Sequence, residues 1–153
     1  MYWTPRRKPE GEEREAGLTY VPLDELLRES DFISLHSPLN AQTRHQIGKR
    51  EFGLMKKTAF IVNTARGAII DEDALVRALK AKKIAGAGLD VFEREPKVHA
   101  ELKKMKNVVL VPHLGSATTE VREEMANIVV DNIEALLAGK TPPGCVNPDV
   151  LKK

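Results

Sequence analysis

The sequence predicts an α/β fold in which helices flank a parallel sheet. Three observations carry this expectation. Four short apolar runs have the length and the β-branched or aromatic content of strands. None of them alternates strictly between apolar and polar residues, which points to strands covered on both faces, as in parallel sheets. Segments whose apolar residues recur at helical spacing separate the runs, and strand–helix–strand repetition is the signature of an α/β architecture. At 153 residues, 42% hydrophobic and 30% charged, the chain has material for one core and one compact domain.

Met1-Tyr2-Trp3 is short and apolar enough to be a strand at the start of the chain. Residues 5 to 17 are charged and broken by Pro and Gly, and predict a surface loop with at most a weak helix. Leu23, Leu26 and Leu27 share a helix face. Phe32 to Leu35 is the first clear strand run and Ala59 to Val62 the second. Asp71 is a candidate N-cap for a helix that places Leu75, Val76 and Leu79 together. Ile84 to Phe92 and Val108 to Val111 are the third and fourth runs. The longest helix starts at Thr118 or Thr119 and runs to Leu137, with Val121, Met125, Ile128, Val129, Ile133 and Leu136 on its apolar side. Gly139 stops it. Residues 1–140 are expected to form the domain, and 141–153, with Pro142, Pro143 and Pro148, an extended C-terminal tail.

Twenty-four Lys and Arg against 22 Asp and Glu give a net charge of +2, with the two signs interleaved along the chain. That pattern argues against a nucleic-acid or membrane-surface partner. Cys145 is the only cysteine, so an internal disulfide is impossible and no companion thiol is present for a zinc site. No apolar run approaches the roughly 18 residues of a membrane span, and the first twenty residues hold no signal-peptide core. The expectation is a soluble, cytoplasmic protein with no metal site.

The dinucleotide fingerprint, a glycine-rich turn joining a strand to a helix, is absent. Its nearest approach, Gly86-Ala87-Gly88-Leu89-Asp90-Val91, lacks the third glycine and continues as strand. Close packing within the sheet is the better reading of those glycines. Three other segments put polar residues directly after a strand, where open α/β sheets bind ligands: Asn63 to Gly67, Asp90 to Glu95, and Pro112 to Ser116. Neighbouring parallel strands would bring an arginine, a carboxylate and a histidine to one edge. His45 and His99 have no such pattern and are expected at the surface.

The strings Leu35-His36-Ser37-Pro38-Leu39, Leu54-Met55-Lys56-Lys57-Thr58-Ala59, Val62-Asn63-Thr64-Ala65-Arg66-Gly67, Gly88-Leu89-Asp90-Val91-Phe92 with Glu95-Pro96, and Pro112-His113-Leu114-Gly115-Ser116-Ala117-Thr118 stand in order over residues 18 to 147. In these strings the chain resembles the D-isomer-specific 2-hydroxyacid dehydrogenases, and within them the glyoxylate/hydroxypyruvate reductases. The resemblance implies a catalytic trio of Arg66, Glu95 and His113. A guanidinium offers a fixed fork of donors to the carboxylate and carbonyl oxygen of a 2-oxo acid. A histidine can supply the proton that the reduced carbonyl oxygen needs, and Glu95 would favour its protonated form and orient it.

Carried over in the same way, Thr64, Ala65, Asp90 and Gly115 would contact an NAD-type cofactor, with His36 and Pro38 beside its adenosine part. A buried-strand histidine such as His36 can equally be satisfying backbone groups. After Tyr2-Trp3, where NAD-specific relatives place an acidic residue, this chain has Thr4-Pro5-Arg6-Arg7-Lys8. Thr4, Arg6 and Arg7 suit a 2′-phosphate and favour NADP over NAD, although a solvated basic run explains them equally well.

The family's enzymes are longer. By the resemblance this chain forms an incomplete Rossmann-type sheet, lacking the first strand and the glycine-rich turn, and lacking the substrate domain. In the order 3-2-1-4-5-6 the absent strand is central. With Met1 to Thr4 and the Phe32 run taken as strands 2 and 3, the sheet would be split. The expectation is then altered strand pairing, or completion in a homodimer. Two functions are compatible with the chain: a 2-oxo acid reductase of little activity alone, or a non-catalytic, self-associating module that binds part of a nucleotide.

Overall fold

A computed structural model describes Met1–Leu151. The chain divides after His113 into two compact units.

The first unit is built on four parallel strands: β1 (Phe32–Leu35), β2 (Phe60–Asn63), β3 (Gly86–Leu89) and β4 (Val108–Leu110), in the order β1-β2-β3-β4. Phe32 aligns with Phe60, Phe60 with Gly86, and Ala87 with Val108. Around them run α1 (Glu10–Glu15), α2 (Leu23–Glu29), α3 (Lys49–Leu54) and α4 (Glu72–Lys80). Asp71 caps α4 as expected, accepting from the Ala74 N–H at 2.9 Å.

The core lies on one face of this sheet. Ile33, Leu35, Ile61, Ala87 and Leu89 pack there with Leu27, Phe52, Leu75 and Leu79. Leu75 is fully buried, so Leu75→Ala is expected to cost about 2–5 kcal/mol, lowering the urea midpoint at unchanged m-value.

Four expectations are corrected. The sheet is not split, because the Phe32 run pairs directly with the Phe60 run and the four strands are contiguous. Met1 to Trp3 is no strand of this sheet. Tyr2 makes one parallel bridge, to Tyr20, through the Tyr2 N–H to Thr19 O at 2.9 Å and the Val21 N–H to Tyr2 O at 3.1 Å. The strands are not covered on both faces: β1 alternates exposed and buried, with Phe32 76% exposed and stacked on the 40% exposed Phe60, while Val109 is 66% exposed. The Ile84 to Phe92 run is strand only over Gly86–Leu89.

Two short helices outrun the sequence signal. α1 forms because Glu13 is a tertiary anchor, buried and held by Arg7 (2.8 and 2.7 Å) and by the Tyr2 hydroxyl. These partners lower its pKa to about 2. α3 is six residues of modest helical pattern, started by the Gly48 N–H donating to the Glu51 carboxylate at 3.0 Å and anchored by buried Phe52.

The second unit is led by α5 (Thr119–Leu137), whose N-cap Thr118 accepts from the Val121 N–H at 3.3 Å. Gly139, at φ +68°, ends it. The Lys140 N–H returns to Ala135 O at 2.8 Å, a left-handed stop that favours glycine. No residue of α5 is buried. The tail contains no strand among the described residues. It returns to the helix through the Gly144 N–H to Asn132 Oδ1 (2.8 Å) and ends in a 3-10 turn over Pro148–Leu151.

Candidate active site at the carboxyl ends of the strands

Because all four strands run parallel, the loops that follow them leave the same edge of the sheet. Three of these loops are tied together by backbone hydrogen bonds. The Asp90 N–H donates to Asn63 O at 3.0 Å, and the His113 N–H donates to Asp90 O at 2.9 Å and to Val111 O at 3.2 Å. His113 has φ +56°, a left-handed conformation that costs a non-glycine residue energy and is held here by those two bonds.

Glu95 and His113 meet at this edge, and Arg66 stands in the loop after β2 that leaves the same edge. His113 Nδ1 lies 3.0 Å from Glu95 Oε2, while the other carboxylate oxygen of Glu95 accepts the Phe92 N–H at 2.9 Å. The Glu95 carboxyl is lowered below its ordinary 4.5, first by the Phe92 N–H, then by His113, with the charge of Arg66 adding to both. A depressed carboxyl contributes stability that is present above its unfolded pKa and is lost as the pH falls through its folded pKa. The Glu95 carboxyl carbon, followed by NMR, should therefore titrate below 4.5, and His113→Ala should move that midpoint upward. An unchanged midpoint would remove the pairing from the solution state.

Arg66 is placed by two residues beside it. Asn63 is 1% exposed. Its side chain donates to Arg66 O at 3.0 Å and accepts the Ala65 N–H at 3.1 Å, closing the turn after β2. Gly67 then lies against the loop after β3, so close that a Cβ there would sit 1.9 Å from the Phe92 carbonyl carbon. Neither was singled out as a site residue. An asparagine ending an apolar strand before Thr-Ala-Arg-Gly is the signal for such an Asx-type turn. The contact that excludes a side chain at Gly67 comes from 25 residues away in sequence, so no local signal exists for it.

The expected cofactor residues fall into groups. Thr4, Arg6, His36 and Pro38 all line one cleft of about 800 Å³ beside β1. His36 Nε2 is 2.7 Å from the Ser34 hydroxyl. Arg7 is engaged elsewhere, with its guanidinium bidentate on Glu13. Thr64 is exposed, Ala65 half-buried and Asp90 buried, all at the carboxyl edge. Gly115 belongs to the second unit.

The hydroxyl and guanidinium in the cleft suit a phosphorylated ribose. Among the described residues no glycine turn cradles a pyrophosphate, so the donors present fit the ribose-phosphate part of a dinucleotide. His45 and His99 are both engaged: His45 Nε2 lies 2.8 Å from Glu93, and His99 Nε2 lies 3.1 Å from Asp73. Among the described residues no helix is long and apolar enough to cross a membrane.

Residues 1–115 match the sequence model of the D-isomer specific 2-hydroxyacid dehydrogenase, NAD binding domain. A glyoxylate reductase of Thermococcus litoralis is 56% identical over 151 residues, covering 99% of this chain and 45% of the relative. Among solved structures, a glyoxylate reductase from Paecilomyes thermophila is 48% identical with a TM-score of 0.81, covering 88% of this chain and 40% of the other. An NADPH-dependent glyoxylate/hydroxypyruvate reductase from Sinorhizobium meliloti, in complex with NADP and malonate, is 38% identical with a TM-score of 0.81, covering 89% and 41%. The chain spans about half the length of each of these proteins.

Proposed function

The chain belongs to the D-isomer-specific 2-hydroxyacid dehydrogenases, and from that membership we propose that it is the nucleotide-binding part of an enzyme that reduces a 2-oxo acid of the glyoxylate or hydroxypyruvate type to the 2-hydroxy acid. In this reading residues 1–140 hold the cofactor and 141–153 form a tail. Thr4 and Arg6 favour NADP over NAD. The protein works in the cytoplasm as a homodimer, and the exposed apolar residues of α5 offer a second copy area to cover.

The observation that carries the reading is the His113–Glu95 pair at 3.0 Å, with the Arg66 charge acting on the same carboxylate. The nicotinamide, when bound, supplies the hydride for C2 of the substrate. Arg66 holds the carboxylate and carbonyl oxygen of the 2-oxo acid through its fork of donors. As charge grows on that oxygen the guanidinium stabilises it, and His113 gives it a proton from Nε2. Glu95 on Nδ1 keeps the ring oriented with Nε2 outward.

Glyoxylate-dependent oxidation of NADPH tests this. The sample is a chimaera in which this chain replaces the matched part of the Thermococcus litoralis enzyme. Turnover in the chimaera, and little in the chain alone, is the expected result. A well-folded chimaera without turnover would overturn the reading.

A further inference from the structure

The loop after β1 and the loop after β3 are joined by side chains that the reaction as described leaves unused. Asn40 and Thr43 stiffen the first of these loops. Asn40 Oδ1 accepts the Gln42 N–H at 2.8 Å, and the buried Thr43 donates its hydroxyl to Pro38 O at 2.6 Å. The chain then runs beside the turn that follows Arg66, where the His45 N–H donates to Ala68 O at 2.8 Å and the Ile47 N–H to Ile69 O at 3.1 Å. His45 sits at φ +52°, in the left-handed region that costs a residue other than glycine energy. In that conformation its backbone faces one loop and its ring reaches another.

Glu93 receives the ring. His45 Nε2 lies 2.8 Å from Glu93 Oε1, and Arg44 Nη2 donates to the same oxygen at 3.3 Å. The Glu93 side chain is only 14% exposed, so water competes weakly for these bonds. Its main chain has a second anchor: the Glu93 N–H donates at 2.7 Å to Oε1 of Glu72, a buried residue that opens α4. One residue earlier, the Phe92 N–H donates to the Glu95 carboxylate at 2.9 Å. Glu93 is therefore held by side chain and main chain alike, two residues from the carboxylate that meets His113.

We propose that Glu93 is a positioning residue for the reaction: through His45 and Arg44 it locks the loop after β3, and so holds the Glu95 carboxylate on His113. Its own carboxylate is turned to His45 and Arg44 and acts on the reaction only through Glu95. The proposal rests on the reading of Arg66, Glu95 and His113 as the reacting groups. A bare charge effect is the competing role for the same residue, since a carboxylate near Glu95 makes that group harder to ionise. The two roles differ in sign.

The titration of Glu95, followed by carbon NMR in the full chain, separates them. In Glu93→Ala the loop carrying the Phe92 N–H loses one of its two anchors, and the Glu95 midpoint should move upward, because that N–H is the foremost influence lowering it. Loss of a charge alone would move the midpoint downward. Glu93→Gln removes the charge but keeps an acceptor for His45 and Arg44, so its midpoint should not rise. His45→Asn suits the left-handed backbone and is too short to reach Glu93. It should raise the midpoint less than Glu93→Ala does, since Arg44 remains, and adding it to Glu93→Ala should change nothing further.

In the chimaera, Glu93→Ala should lower kcat about tenfold and leave KM for glyoxylate within about twofold. His113 loses its placed partner, whereas the bond from the His45 N–H to Ala68 O, and with it the turn that carries Arg66, survives. Glu93→Gln should recover most of the rate. A Glu95 midpoint that stays or falls in Glu93→Ala overturns the proposal, and so does a Glu93→Gln chimaera as slow as Glu93→Ala. An unaltered chimaera without turnover would sink the reading of the site instead, and the titration in the full chain would still decide whether Glu93 places Glu95.

Discussion

Arg66→Ala is expected to lower kcat/KM for glyoxylate by about 10²–10³-fold in the chimaera described above, the loss typical of removing one preorganised donor from a developing oxyanion. Arg66 is exposed, and its side chain packs into no core; Nη1 donates to the adjacent Ala65 O at 2.6 Å. The fold should therefore be indifferent to the change, and an unaltered Tm is the companion result. Arg66→Lys keeps the charge but not the planar fork, so it should recover only part of the rate. The Glu95 titration is a second readout, since losing the guanidinium removes one of the influences that lower that carboxyl. Equal activity of Arg66→Ala and the unaltered protein would remove Arg66 from the mechanism.

Gly67→Ala should be the most damaging single methyl near the site. The new Cβ would meet the Phe92 carbonyl carbon at 1.9 Å, its oxygen at 2.1 Å and the Glu93 nitrogen at 2.4 Å. These are backbone atoms and cannot rotate aside. Either the turn after β2 or the loop after β3 must move, at an expected cost of about 3 kcal/mol, at the upper end of what overpacking usually costs. A urea titration reads this directly. Because the same contact sets Arg66 beside the Glu95 loop, the surviving folded fraction should also lose rate. A neutral Gly67→Ala would mean that the two loops do not touch.

Much of the sheet was legible in the sequence because each strand is a local apolar run. Phe32–Leu35 was read to the residue, and the Asp71 cap, the Thr118 start and the Gly139 stop each depend on a side chain or its absence within a few residues. That the loops carrying Arg66, Glu95 and His113 leave one edge followed from the parallel order, which puts every strand's end there. The position of the Phe32 strand did not follow. Its run could pair with the Tyr2 segment or with the Phe60 run on local grounds, and only the register across β2 selects between them.

Local chemistry along 153 residues thus determined which segments are strands and helices and which polar groups stand at their ends, since propensity, capping and periodicity act over a few residues. The tertiary structure alone decided what depends on partners distant in sequence. Glu13 pulls Arg7 away from the cleft and makes α1 a helix. Gly67 is indispensable only because Phe92 lies against it, and β1 stands at the end of the sheet because the Phe32 run pairs with the Phe60 run and not with the Tyr2 segment. The physical reason is the same in each case: close packing and hydrogen bonding are settled between surfaces, and which surfaces meet is a property of the folded chain as a whole.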